Sequence, residues 1–327
     1  MFLLSLTVIG FFCVTQTLSL PSELRESLCE EWEMKCKFSD LDPLRRIIPT
    51  IYGNKYVCGH RNSPYFEGSG EESLSGDAHY AEFPWMAAIL EKDRSHYLCG
   101  GVLIHPMVVL TSAHCLDEPA IHEIKVRLGD WNISDSNEIY AEQEFQIREI
   151  HIPDDYNPET GHNDIAMLFL EATAILAENV QPICLPPLHS AFEMQECFGT
   201  AWGMHRKGNK TCREILRKVD LVTIPQETCE IAIKRTDKEI DFDLTDSSIC
   251  TATYDCEFDM CGTDLGSPLI CPIRDSISDR YYLVGIFSWR IKCSKYAPSV
   301  FTSVVKLRSW IDEKLSEKDI NTEGFIY

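Results

Sequence analysis

Of the 15 cysteines in this 327-residue chain, Cys13 lies in an apolar leader and 14 follow it. Thiols at such density serve metal ligation or disulfide formation. Structural zinc sites use closely spaced Cys-x-x-Cys pairs. No such pair occurs, and four residues separate Cys256 from Cys261. An even number of cysteines in an exported chain reads as a disulfide framework. Export is expected from the first 20 residues, which are uncharged around a Leu/Ile/Phe/Val core with small residues near Thr17 and Ser19. A signal peptide is therefore expected over 1–19, and no later stretch is apolar enough to span a membrane. The sequons Asn132-Ile133-Ser134 and Asn209-Lys210-Thr211 would be usable for glycosylation in a secreted, extracellular protein. The formal net charge is −21. Such a surface repels nucleic acid and anionic membranes, and favours basic partners or solubility.

The elements that must position any site fall into sections. Residues 20–75 are polar and Glu-rich, hold Cys29, Cys36 and Cys58, and lack apolar residues for a core. They read as an irregular extension tied down by disulfides. From Phe83-Pro84-Trp85 onward, short apolar runs recur between turn residues: Met86–Leu90, Gly101–Leu110, Ile124–Leu128, Glu144–Ile150 and Asp164–Leu170. Many short strands argue for an all-β barrel or sandwich. Helical spacing of Val304, Val305, Leu307, Trp310, Ile311 and Leu315 predicts one amphipathic helix over 304–315, leaving 316–327 as a tail.

Several boxes then stand in a telling order. They are Glu82-Phe83-Pro84-Trp85, Cys99-Gly100-Gly101-Val102, Thr111-Ser112-Ala113-His114-Cys115, Asn163-Asp164-Ile165-Ala166-Met167-Leu168, Ile183-Cys184-Leu185-Pro186, Ala201-Trp202-Gly203 and Cys261-Gly262-Thr263-Asp264-Leu265-Gly266-Ser267-Pro268-Leu269. Together they resemble the chymotrypsin/trypsin family across residues 76–315. The resemblance implies two packed six-stranded antiparallel β-barrels with a cleft between them. It implies that His114 and Asp164 are triad positions and that Leu265 stands where the serine nucleophile would be. Leucine has no lone pair and no proton to give up, so covalent catalysis is not expected. Ser267 is a displaced alternative, two residues on, and would need a rebuilt loop to reach His114.

The same resemblance assigns further defects. Thr263 takes the place of an oxyanion-hole glycine, and a β-branched residue disfavours the conformation glycine permits. The activation stretch Glu71–Asp77 has no basic residue before it and no Ile/Val-led new terminus, so Asp264 lacks its usual amine partner. Asp259 sits at the position that reads Arg or Lys substrates, while Arg290 and Ser299 replace pocket-lining glycines. Arg290 could fold inward onto Asp259, or stay exposed while Asp259 is solvated.

Gly266-Ser267-Pro268-Leu269, Val57-Cys58-Gly59-His60-Arg61-Asn62, Leu128-Gly129-Asp130-Trp131 and Ala177-Glu178-Asn179-Val180 resemble the arthropod clip-domain serine protease homologues, which include prophenoloxidase-activating cofactors. The six-cysteine clip itself is absent or degenerate, since only Cys29 and Cys36 precede Cys58. What this implies is a secreted pseudoprotease in an extracellular cascade of the melanisation type. Its partners would be a protease, a zymogen such as prophenoloxidase or a microbial surface ligand. Alternatives are an active endopeptidase with another nucleophile, and a pseudoprotease of reproductive secretions. Family pattern pairs Cys99–Cys115, Cys197–Cys271, Cys229–Cys250 and Cys261–Cys293, with Cys58–Cys184 as tether. Cys29–Cys36 and Cys212–Cys256 remain by elimination. No cofactor is required, though the loop from Asp130, with Glu138 and Glu142, resembles the trypsin calcium loop, and hard oxygen ligands suit calcium.

Overall fold

The computed structural model describes residues 58–63, 76–117, 121–134, 138–203, 205–206, 214–236, 244–253, 258–259, 264–274, 280–290 and 297–320. The expected signal segment, nearly all of the extension, Thr263, Asn209 and the pairs Cys29–Cys36, Cys212–Cys256 and Cys261–Cys293 lie outside them.

Two closed barrels of six antiparallel strands carry the chain. The first is built from β1 (Met86–Glu91), β2 (Tyr97–His105), β3 (Val108–Thr111), β4 (Ile124–Leu128), β5 (Gln143–His151) and β6 (Ala166–Leu170), in the order β1-β2-β3-β6-β5-β4. The second joins β7 (Glu196–Ala201), β9 (Arg217–Ile224), β10 (Ser248–Ala252), β12 (Pro268–Pro272), β13 (Tyr281–Arg290) and β14 (Ser299–Ser303), in the order β10-β14-β13-β12-β7-β9. A two-stranded ribbon pairs β8 (His205–Arg206) with β11 (Phe258–Asp259). Closure removes the unpaired edges that open sheets expose.

Local chemistry explains the departures from simple pattern. The run Gly101–Leu110 is two strands, because Pro106 has no N–H for the ladder and the chain turns there. The C-terminal helix α2 is Arg308–Glu317, four residues later than its apolar spacing predicts. Val304 gives its N–H to Val284 O, a sheet-side acceptor, so this buried residue fills the core without being helical. A second helix, α1 (Gln226–Thr236), was not expected. Only Cys229 and Ile233 are buried on it, one helical turn apart, too faint a stripe to read amid polar residues.

Both barrels are filled by buried aliphatic and aromatic side chains, including Trp85, Leu103, Leu110 and Phe169 in the first and Leu269, Val284 and Phe301 in the second. Ile311 and Leu315 of α2 join the first of these clusters although the helix follows the last strand of the second barrel. Disulfides link Cys58–Cys184, Cys99–Cys115, Cys197–Cys271 and Cys229–Cys250.

Candidate functional site

Asp164 precedes β6 and is 1% exposed. Its Oδ1 accepts from Ser112 Oγ at 2.6 Å and from the backbone N–H of His114 at 2.8 Å. Its Oδ2 accepts from Ser288 Oγ at 2.5 Å. Burial pushes the carboxyl pKa up, against these donors and the nearby imidazole. One side chain thereby fastens the end of β3 to the far end of β13, and so one barrel to the other.

His114 does not use this carboxylate. Its ring opens a short 3₁₀ turn, His114–Leu116, and its side chain is 52% exposed. Nδ1 lies 3.3 Å from Asp117 Oδ2, three residues on. Tyr156 Oη stands 3.5 Å from both Asp117 oxygens. Among the described residues no hydrogen bond joins the imidazole to Asp164. A general base needs its second nitrogen oriented by a fixed carboxylate, and here both Asp164 oxygens serve other donors. Asp117 was absent from the sequence expectations. Its i,i+3 spacing from His114 was the available signal.

The loop that carries Leu265 is zipped to both barrels. Gly100 N donates to Leu265 O, Gly266 N to Phe287 O and Phe287 N to Ser267 O, at 2.8–2.9 Å. Gly266 has φ +80°, and a Cβ there would meet Thr111 Oγ1 at 2.1 Å and Gly100 O at 2.3 Å, so glycine is required. The half-buried Leu265 side chain packs against the cores of both barrels. Asp264 is fully buried beside it. Ser267 is also fully buried, and its Oγ has no hydrogen-bond partner among the described residues. It faces Gly100, where an added Cβ would lie 2.2 Å from that oxygen. The hydroxyl is thus sealed in the interior and makes no bond to the half-exposed His114 ring.

Arg290 and Ser299, both expected to line a specificity pocket, are cross-strand partners of β13 and β14. Ser299 is buried, and Arg290 Nη2 donates to Ala297 O at 3.4 Å. Asp259 lies in β11 opposite His205, but its side chain is outside the described residues, as is any ion pair it makes with Arg290. The loop before Asp164 lies against Trp289. A Cβ on Gly161 would stand 3.1 Å from Trp289 Nε1 and 3.3 Å from Ser288 Oγ.

The acidic loop has its own internal partners. Asp130 Oδ2 accepts from Arg127 Nη1 at 3.0 Å, and that guanidinium also holds Glu144. Glu138 Oε1 caps the N–H groups of Trp131 and Asn132 at 2.9 and 2.7 Å. Burial pushes Glu138 up to about 7 and Asp130 up to about 6. Among the described residues, Glu138 Oε2 is buried without a partner, and no three acidic, His or Cys side chains converge as a metal site. Among the described residues of the loop, Arg127 supplies a cation at Asp130. The sequon residue Asn132 is partly exposed, and its Oδ1 accepts from Ser134 N at 3.2 Å.

A denser site gathers around Cys58–Ser63. Gly59 donates to Pro182 O and accepts from Tyr281 N, both at 2.9 Å. Arg61 clamps the fully buried Glu82, donating from Nε at 2.9 Å and also from Nη2. Its guanidinium lies over Phe83, Phe198 and Tyr281. Lys218 Nζ and His79 N add donors to Glu82 at 2.9 and 2.7 Å. Burial alone would raise Glu82, but these donors and Arg61 hold its pKa below the usual value. Next to it, Asp77 and Arg217 form a buried pair at 3.7 Å, and Lys218 N donates to Gly76 O. The end of the Glu71–Asp77 stretch is therefore docked on β9.

Residues 75–311 match the profile of the family described as Trypsin. Phenoloxidase-activating factor 2 of Galleria mellonella is 34% identical over 303 residues, 88% of this chain and 98% of that protein. Two proteins of Anopheles gambiae named inactive CLIP domain-containing serine proteases, A8 and A28, are 29% and 30% identical. They are matched over 88% and 81% of this chain and over 79% and 69% of their own lengths.

Proposed function

Since this chain belongs to the trypsin family, as a homologue of clip-domain proteases, we propose that it is a secreted, catalytically inactive member acting as a binding cofactor in an extracellular proteolytic cascade. The observation that carries the reading is Leu265. An apolar side chain at the nucleophile position, packed between the two cores, offers the cleft no attacking atom. The outward turn of His114 to Asp117 supports it, because the base and its usual carboxylate are no longer coupled. So does the burial of Ser267, the alternative hydroxyl. Among the described residues no helix is long and apolar enough to cross a membrane. The name of the Galleria relative makes phenoloxidase activation the first cascade to test. In that setting this chain would bind a protease or its zymogen and change the outcome of cleavage without cutting.

The experiment has two arms on the purified protein. A fluorophosphonate probe should leave it unlabelled, and labelling would overturn inactivity. Addition to a mixture of prophenoloxidase and an active processing protease should raise phenoloxidase output. Unchanged output at saturating protein would remove that cascade.

A further inference from the structure

Arg280 lies at the entry to β13, opposite His60 in an isolated β-bridge. Its Nε donates to Cys58 O at 3.0 Å. Its Nη2 lies 3.1 Å from Cys184 Sγ and 3.3 Å from Cys58 Sγ. A guanidinium thus sits on both sulfurs of a bridge whose cysteines are each 0% exposed. Among the described residues, no Lys or Arg donates to the sulfurs of Cys99–Cys115, Cys197–Cys271 or Cys229–Cys250.

We propose that Cys58–Cys184 is a reducible switch, with Arg280 setting its equilibrium. A disulfide sulfur is a weak, uncharged acceptor, whereas a thiolate is a full anion. A cation within hydrogen-bond range of both sulfurs therefore favours the reduced state more than the oxidised one, as charge-assisted bonds are the stronger kind. Lower thiol pKa also makes each sulfur a better leaving group.

The reaction is exchange with an extracellular dithiol. One thiolate of the reductant attacks one sulfur of the bridge, the S–S bond breaks, and a mixed disulfide forms. The second thiol resolves it. The dithiol ends as its own disulfide, having given two electrons and two protons. Cys58 and Cys184 end as thiols, or as a thiolate beside Arg280 with its proton released to water.

Because the sulfurs are buried, attack requires the Cys58–Asn62 segment to lift first. Arg61 on Glu82, and Asn62 bonded to Ala81 O, Glu82 O and Glu178 O, oppose that movement. Two locks act in series: the Glu82 clamp sets how fast the bridge is reached, and Arg280 sets how far reduction goes. The consequence is a releasable rather than permanent tether for the extension. The inference does not depend on whether the cleft is catalytic.

The test equilibrates the full chain in graded dithiothreitol buffers, followed by differential alkylation and peptide mass spectrometry. Cys58 and Cys184 should become reduced at a poise where Cys197–Cys271 and Cys229–Cys250 stay oxidised. Arg280→Gln should lower the reduction equilibrium constant about tenfold, close to 30 mV for a two-electron couple. Arg280→Lys, which keeps the charge, should shift it less. Reduction of Cys58–Cys184 no earlier than Cys197–Cys271 would overturn the proposal. So would a folded Arg280→Gln protein with an unchanged potential. If that variant fails to fold, the order of reduction in the unaltered protein still decides the matter.

Discussion

The docking site of Cys58–Asn62 and the region around His114 are built from similar parts, a buried carboxylate and a basic side chain, with opposite outcomes. At the docking site Glu82 is fully buried and meets Arg61, Lys218 and a backbone N–H directly. Near His114, Asp164 is as deeply buried, but its donors are two serines and a backbone N–H, while the His114 ring faces outward. The difference shows which couplings the fold needs. Asp164 is placed as a structural acceptor joining the barrels, and the imidazole is dispensable to that task. Glu82 needs its cations, because an uncompensated buried charge is costly.

The comparison can be pressed hardest at Glu82. Glu82→Gln keeps the shape but leaves Arg61 and Lys218 facing a neutral amide, and should cost about 3 kcal/mol in urea unfolding. A loss below half of that would mean the cations relax to solvent without penalty. Next is the cleft. Asp164→Ala orphans three donors and should cost roughly 2–3 kcal/mol. His114→Ala should stay within about 0.5 kcal/mol, since an exposed side chain contributes little. Equal effects from the two would couple them after all and restore a triad-like unit.

Leu265→Ser trades half-buried apolar surface for a hydroxyl, with an expected loss of about 1–2 kcal/mol. No turnover of Arg-containing amide substrates should appear, before or after limited trypsin treatment, because His114 remains on Asp117. Turnover near that of an ordinary trypsin would show that only the serine was missing.

The smallest effect is with pH. Glu138 and Asp130 have folded pKa values raised to about 7 and about 6. Raised values mean the folded protein holds these protons more tightly than the unfolded chain. Their contribution is full below the unfolded values and is lost as pH rises through about 6–7. His105 opposes them: burial lowers it to about 4, so its contribution is present above the unfolded value and is lost on acidification. The melting temperature of Glu138→Gln, compared with the parent from pH 5 to pH 7.5, isolates the first effect. The parent should lose more stability than the variant over that range, and parallel curves would remove Glu138 as the cause.

The fold was legible because it rests on repeating local features. Short buried runs such as Ile124–Leu128 already state a strand, and their number argued for a barrel or sandwich, with the two barrels implied by the family resemblance. The helix Gln226–Thr236 was illegible, because its two buried residues make no periodic stripe. Of the candidate site, Leu265 stood out through the resemblance of the residues around it to a nucleophile loop, because leucine has no atom that can attack a carbonyl. By itself the sequence also determined the charge and the cysteine number. Tertiary structure alone decided that His114 turns to Asp117, that Ser267 is sealed against Gly100, and that Arg280 rests on the Cys58–Cys184 sulfurs. Residue type states what chemistry is available. Burial and the competition among nearby donors for one acceptor, which depend on distant segments meeting, state which of it is used.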